Sequence, residues 1–496
     1  MEQPIPFDRL PAPRSWPLVG HLPYLLTGGG VIQQLSAGAR RFPDGVFRIE
    51  APQLDLAVVS RARIAAELFD TTRFDKDVEG PLRLLRPIAG DGLFTADTEE
   101  ENWALAHRIL VPAFTRDAMQ RYFPAMQETL DGLLHKWDGS IARGASVDVR
   151  DDMTRLTLDT ISLTGFGYRF RSFERPQLHP FLGAMGTVLL DTMEQLRRPK
   201  ALHALMVHKH RAVRLATAEM NTLVDSVIAE RHARGAAGVD GADGAKDLLD
   251  LMLTARDERG RGLSNENIRY QILTFLIAGH ETTSNLLSFA LRALYRDPAL
   301  LARATAEADA VLGDRPTFSD VGKLDLVRRV LFEALRLWPP APALGFHPLR
   351  EPQLLAGKFQ IPLGTRVIVL LPALHRDPEV WDDPERFDPD RFLPENEAKR
   401  PAAAYKPFGN GKRICIGRQF ALVEAELALA TILRRYRMVQ LDGDDAVEEN
   451  LTLKPSRYTL RLERRTPGQV TASSSTAVRQ DQFTRGGCPF HVPTRA

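Results

Sequence analysis

The sequence predicts a mainly α protein with small β-sheets, on three observations. Helical periods dominate from about Arg61 to Leu337. Strand-like segments are short and scattered, at Val46–Glu50, Leu54–Ser60, Val367–Leu371 and Tyr458–Glu463. No internal repeat and no clean linker divides the 496 residues. Residues 31–466 therefore read as one large domain, between a Pro/Gly-rich lead-in (1–30) and a mobile C-terminal tail (467–496).

Each element has a local reason. Pro11–Gly20 (P-A-P-R-S-W-P-L-V-G) and Gly28–Gly30 make an extended start. The first two strand-like stretches are close enough for a hairpin. Asp151–Gly165 has apolar residues at helical spacing and a terminal glycine. Gly235–Lys246 is Gly/Ala/Asp-rich and reads as a surface loop. A long helix covers Ile268–Leu291, with an apolar run from Ile272 to Ala278. Pro339–Pro348 breaks the helical pattern, and His375–Pro407 is proline-punctuated and irregular. Helix-forming sequence resumes at Arg418.

Composition narrows the function classes. Hydrophobic residues make up 44% and charged ones 26%, which is ordinary for a globular protein. A net charge of +2 gives no global reason to expect nucleic acid or an anionic membrane surface. Two cysteines, Cys415 and Cys488, cannot staple a chain this long, which points to a reducing compartment. No apolar run approaches the ~18 residues of a membrane span, and the proline-bearing N-terminus has no export-signal core. The expectation is a cytoplasmic protein with no membrane anchor.

The sharpest chemical feature is F-G-N-G-K-R-I-C-I-G, Phe408–Gly417. A lone cysteine is ordinarily a small core residue. Here Gly409, Gly411 and Gly417 allow a tight loop whose amides can point at Cys415. The helix starting at Arg418 places Cys415 at its N-terminus, where the dipole favours a thiolate. Such a thiolate is either a nucleophile or a soft metal ligand. A structural zinc site needs further Cys or His at short spacing, and none is nearby. A haem needs one axial thiolate. In the tail, Cys488 and His491 make too few ligands for a metal site.

With these residues the chain resembles the cytochrome P-450 haem-thiolate monooxygenases, whose cysteine-ligand loop is F-x-x-G-x-R-x-C-x-G. Two further motifs stand in the right order: A-G-H-E-T-T at Ala278–Thr283 and E-A-L-R at Glu333–Arg336. The resemblance covers about residues 10–465. It is closest to the bacterial fatty-acid hydroxylases whose haem domain is fused to a flavin reductase, through R-F-D-K (Arg73–Lys76), A-G-D-G-L-F-T (Ala89–Thr95), D-M-T-R-L-T-L-D-T (Asp152–Thr160) and L-T-L-K-P (Leu451–Pro455).

The resemblance implies a fold with a long central helix crossing over a buried haem b (iron protoporphyrin IX). Cys415 is the implied axial ligand. Ala278 and Gly279 leave room above the haem, and Glu281 with Thr282 relays protons. Trp103, His107 and Arg413 are implied propionate contacts, with Phe408 and Gly409 packing at the thiolate. Phe94, Leu84, Leu85, Ile88, Ala341 and Ala343 line an apolar substrate pocket. Glu333, Arg336 and Arg391 (from P-D-R-F, Pro389–Phe392) form a structural triad. Read without the resemblance, Phe94 is a plain core aromatic and Glu333–Arg336 a surface pair.

Two departures shape the expected function. The fused relatives continue into flavin domains and this sequence stops after the tail, so the expected electron donor is a separate flavin or ferredoxin-type protein. Lys406, Lys412 and Arg418 are candidates for its docking face, or else a solvated charged surface. The relatives hold a fatty-acid carboxylate with Arg and Tyr at positions that fall here on Leu54 and Val58, and Asp55 adds a repelling charge. Free fatty acid is then expected to bind more weakly. The expected activity is insertion of one oxygen atom into a small apolar substrate: a fatty acyl, polyketide-like or terpenoid molecule. Rival readings are a free fatty-acid hydroxylase, a peroxygenase, a non-catalytic haem sensor and a non-haem cysteine enzyme. Glu281 and Thr282 speak against the peroxygenase and the sensor.

Overall fold

Helices Leu22–Leu26 (α1) and Val31–Ala39 (α2) precede the predicted hairpin, Val46–Ala51 (β1) antiparallel to Leu54–Val59 (β2). The computed structural model describes residues 3–27, 30–52, 54–197, 206–236 and 247–465. Next come Ala62–Leu68 (α3), Phe74–Lys76 (β3), Pro81–Ala89 (α4), Glu101–Leu110 (α5) and Arg116–Ala142 (α6). Val147–Asp148 (β4) leads into Val149–Phe166 (α7), Pro180–Arg197 (α8), Val207–Ala236 (α9) and Leu248–Thr254 (α10). The longest helix is Asn265–Arg296 (α11), followed by Pro298–Val311 (α12), Phe318–Val321 (α13) and Asp325–Leu337 (α14). The remainder alternates short strands and helices: Ala343–Pro348 (β5), Gln353–Leu355 (β6), Phe359–Ile361 (β7), Arg366–Leu370 (β8), Leu371–Leu374 (α15), Pro394–Glu397 (α16) and Arg418–Arg435 (α17). Tyr436–Asp442 (β9), Val447–Glu449 (β10), Leu453–Pro455 (β11) and Thr459–Arg464 (β12) complete it.

The main sheet runs β1-β2-β8-β5-β3, with β2 and β8 parallel and the other pairs antiparallel. A smaller sheet, β4-β12-β9, and the β10-β11 and β6-β7 ribbons lie apart from it. Strict alternation explains the sheet's two packed faces: Ala57, Val59, Val367 and Val369 enter one apolar cluster, Leu56, Val58 and Leu370 another. The largest core gathers α6, α7, α11, α14 and α17.

Helix ends follow their caps. Asp148 accepts the Asp151 N–H at 3.1 Å and Ser264 the Asn267 N–H at 3.1 Å. Helix α7 ends two residues beyond the predicted glycine, at Gly167, which takes the left-handed conformation (φ 62°, ψ 15°). Gly165 stays inside the helix, where a Cβ would stand 3.2 Å from Leu248 Cδ1, so its role is close approach to α10. The predicted Gly235–Lys246 loop begins inside α9, and residues 237–246 lie outside the described ones. Cys488 and His491 also lie outside them.

Gly90 closes α4 with φ 47° and ψ −130°, and a Cβ there would stand 2.2 Å from the Tyr270 ring. Gly90→Ala is expected to lower stability by roughly 1–3 kcal/mol, because an L side chain is strained in that region of backbone space. Denaturant unfolding of the two proteins checks this. Equal midpoints would mean that the loop after α4 is free to move. No helix among the described residues is long and apolar enough to cross a membrane.

Candidate active site

The loop carrying Cys415 is pinned by its own backbone. The Cys415 N–H donates to Phe408 O at 2.8 Å, and Gly409 N–H to Lys406 O at 3.0 Å. Gly409 and Gly411 sit at φ 82° and 63°. Helix α17 begins at Arg418 as predicted, and the N–H groups of Gly417 and Arg418 point at the sulfur. These amides alone do not make a thiolate: burial outweighs them and pushes the Cys415 thiol up. A coordinated metal ion removes that proton outright. Cys415 lies deep in the molecule and is nevertheless exposed, so its sulfur faces an internal cavity.

A second opening lies on α11. From Gln271 to Leu294 every residue is buried except four: Ala278, Gly279, Glu281 and Thr282. One turn of an otherwise packed helix therefore borders open space. Thr282 Oγ1 donates to Ala278 O at 2.8 Å, and Glu281 lies 3.9 Å from Lys454 Nζ. Gly279 does not serve as expected. Its missing Cβ would point at Ile161 Cγ1 (3.2 Å), so the glycine lets α7 approach α11 and does not itself make room on the cavity side.

The loop after α4 ties these walls together. Leu93 N–H donates to Gln271 Oε1 of α11 at 3.0 Å, and Arg413 donates to Leu93 O, Ala96 O and Thr98 Oγ1 at 2.9–3.1 Å. Arg413 also lies 4.7 Å over the Trp103 ring, and Trp103 stacks on His107 at 5.0 Å. Lys76, which the sequence places only within R-F-D-K, joins them. Its ammonium donates to Phe94 O at 3.0 Å and lies 5.0 Å over the Phe94 ring. Burial, then the nearby Arg413 charge, pushes Lys76 well below its usual range, and burial brings Arg413 down to about 10. Among the described residues neither cation has a carboxylate hydrogen-bonded to it, although Asp75 and Asp97 lie near enough to act on both. The Trp103 N–H and both His107 nitrogens have no protein hydrogen-bond partner among the described residues.

This donor set fits a haem. A single cysteine faces the cavity, and two buried cations with no carboxylate bonded to them, together with free N–H donors, suit the two carboxylates of protoporphyrin. Among the described residues no group of three His, Cys, Asp or Glu is placed to hold a bare metal ion.

The predicted brace is in place. Glu333 and Arg336 are fully buried and paired through both carboxylate oxygens, at 2.6 and 2.7 Å, so they are not a surface pair. Arg336 also donates to His375 O, Pro384 O and Arg386 O. Glu333 accepts the Asp388 N–H at 2.7 Å and lies 3.5 Å from Arg391 Nε. His375, missed in the sequence, extends this brace to the cysteine loop by accepting the Lys406 N–H at 3.1 Å. Burial and then Arg336 bring its pKa down to about 3, so it stays neutral.

The pocket residues divide. Phe94, Leu84 and Ala343 are half-buried, and Ala341 is exposed between buried Pro340 and Pro342. Leu85 and Ile88 are packed into the main core, because α4 turns that face toward α8 and α11. Asp55 does not carry the free repelling charge expected of it. It is held by Arg48 at 2.8 and 3.0 Å on the opposite face from Leu54 and Val58. A separate cleft of about 260 Å³, lined by Arg86, Asp91, Glu100, Glu266 and Tyr270, holds none of the predicted site residues. Its polar groups bond one another.

The family model described as Cytochrome P450 matches residues 10–462. The chain is 43% identical over 460 residues to "Bifunctional cytochrome P450/NADPH--P450 reductase 1" of Bacillus subtilis (strain 168), covering 92% of this chain and 42% of that one. It is 36% identical over 485 residues to "Self-sufficient cytochrome P450 monooxygenase CYP505E3" of Phanerodontia chrysosporium, covering 94% and 44%. The chain thus spans less than half the length of these relatives. Among solved structures, that titled "Crystal structure of cytochrome P450DA heme domain" superposes with a TM-score of 0.86 at 46% identity, covering 94% of this chain and 99% of that one.

Proposed function

The chain belongs to the cytochrome P450 family of haem-thiolate monooxygenases, and from that premise we propose that it inserts one oxygen atom of O2 into a long, largely apolar substrate, a fatty acyl, polyketide-like or terpenoid molecule. The observation that carries this is the pair of interior openings, at Cys415 and at the Ala278–Thr282 turn of α11.

Haem b, when bound through Cys415, supplies the oxygen activation and the C–H oxidation. The chain's own groups do the rest. Arg413, Lys76, Trp103 and His107 hold the propionates. Leu84, Phe94, Ala341 and Ala343 offer apolar surface and keep water from the reacting carbon. Glu281 takes protons from the Lys454 side, and the Thr282 hydroxyl, hydrogen-bonded to Ala278 O, orients them toward the cavity. The relatives' names join a P450 to an NADPH–P450 reductase, or call the enzyme self-sufficient. They give no support to the expected separate ferredoxin-type donor. We therefore assign the electrons to a reductase of the NADPH-dependent type.

The test supplies the protein with NADPH, such a reductase and isotopically labelled O2, and looks for one labelled oxygen atom in oxidised long-chain products. Label-free products or none across the three substrate classes would overturn the reading. Thr282→Ala is expected to lower the ratio of product formed to NADPH consumed several-fold while leaving substrate affinity unchanged. An unchanged ratio would remove Thr282 from proton delivery.

A further inference from the structure

His375 stands between the buried brace and the cysteine loop with every polar atom engaged. It follows the single turn of α15, is fully buried, and is tied to Arg336 twice. The Arg336 guanidinium donates to His375 O at 2.9 Å, and His375 Nδ1 lies 3.3 Å from Arg336 O. The His375 N–H donates to Leu371 O at 2.8 Å. On the far side of the ring, Nε2 accepts the Lys406 N–H at 3.1 Å. A backbone amide can only donate, so Nε2 carries no proton. The neutral ring then has its proton on Nδ1, directed at Arg336 O. Burial and the neighbouring Arg336 charge hold the ring in that neutral form.

Lys406 is the first residue of the turn that opens the cysteine loop. Its carbonyl accepts the Gly409 N–H at 3.0 Å, which closes the turn Lys406-Pro407-Phe408-Gly409. Pro407, at the second position, has its φ fixed by its own ring, so the turn is stiff. Phe408 O, at the third position, accepts the Cys415 N–H at 2.8 Å. An unbroken series of hydrogen bonds thus runs from Arg336 through the imidazole and the turn to the backbone of Cys415. Tyr405 is held separately: its ring lies 5.2 Å from the imidazole and its hydroxyl donates to Phe332 O at 2.9 Å. Among the described residues the Lys406 N–H has no acceptor besides His375 Nε2.

We propose that His375 is a positioning residue for the cysteine ligand: as hydrogen-bond acceptor for Lys406 it fixes where the turn, and through Phe408 the Cys415 backbone and its sulfur, stands. It acts only through the backbone of the loop. The proposal rests on Cys415 holding the haem and is independent of the class of substrate. Shape alone does not account for the residue, since an apolar side chain of the same size would leave the Lys406 N–H without an acceptor inside the protein.

The test compares His375→Gln with His375→Met in the haem-loaded protein. The two side chains are close in length and volume, and both lose the ring and its contact with Tyr405. Only glutamine carries a strong acceptor, Oε1, that can take the place of Nε2. The readout is the reduced, CO-bound spectrum, whose Soret position reports thiolate ligation, followed over time at one temperature. His375→Met is expected to lose the thiolate-ligated band about tenfold faster than wild type or more, the size of an orphaned hydrogen-bond donor, and His375→Gln to stay within about threefold of wild type. A role in packing alone predicts the reverse order, because methionine is the better core residue. That order, or equal rates in the two variants, overturns the proposal. If neither variant holds haem, hydrogen exchange of wild type decides. Protection of the peptide carrying the Lys406 N–H that is lost together with the thiolate band supports the proposal. Exchange while the band persists, or protection that outlasts it, overturns it. If wild type itself shows no thiolate-type band, Cys415 is not the ligand and the proposal falls with that reading.

Discussion

Cys415→Ser is expected to abolish monooxygenase turnover while leaving the fold in place. The side chain faces the cavity and not packed core, so a shape-conserving change removes no apolar contact. The backbone geometry of the loop comes from the Cys415 N–H to Phe408 O bond and from the glycines, and serine keeps all of it. What is lost is the sulfur. A serine hydroxyl is a far weaker donor to iron than a thiolate, and electron push from the thiolate is what favours O–O cleavage. The absorbance spectrum of the reduced, CO-bound protein is the direct readout, since its Soret position reports thiolate ligation. A variant that kept both the wild-type band and turnover would show that the ligand is another residue.

How far the site could be seen in the sequence depends on how far apart its parts are. The cysteine loop and the start of α17 are local: glycines, a single cysteine and a helical pattern within one stretch. The brace was visible as E-A-L-R, but its burial was not. Helical spacing puts Glu333 and Arg336 on one face whether that face meets water or protein. Lys76, Thr98 and His375 enter only through tertiary contacts, with Arg413, Phe94 and the Lys406 N–H. The same holds for errors of direction. Gly279 reads as a gap above the cofactor, yet helix geometry turns its empty side to Ile161. Leu85 and Ile88 are apolar in either place, and only the packing of α4 on α8 and α11 puts them in the core.

Glu333→Ala is expected to be the most destabilising of these changes, at about 3–5 kcal/mol. The estimate comes from what remains. Arg336 would keep its carbonyl acceptors at His375, Pro384 and Arg386 but lose both carboxylate oxygens, leaving a full charge in a site with no solvent contact. The Asp388 N–H would lose its acceptor as well, and Arg391 its ion-pair partner. Total stabilities of folded domains are about 5–15 kcal/mol, so the loss is a large fraction of the whole. Glu333→Gln separates charge from shape: the amide oxygen can still accept from Arg336 or Asp388, and this variant should lose less. The brace runs through His375 and Lys406 into the cysteine loop, so the damage should appear at the cofactor before the whole chain unfolds. In a urea series monitored by haem absorbance and by far-ultraviolet circular dichroism, Glu333→Ala should release haem at a lower urea concentration than it loses helix. Wild type should lose both together. Coincident transitions in the alanine variant, at the wild-type midpoint, would reduce the triad to a passive core feature.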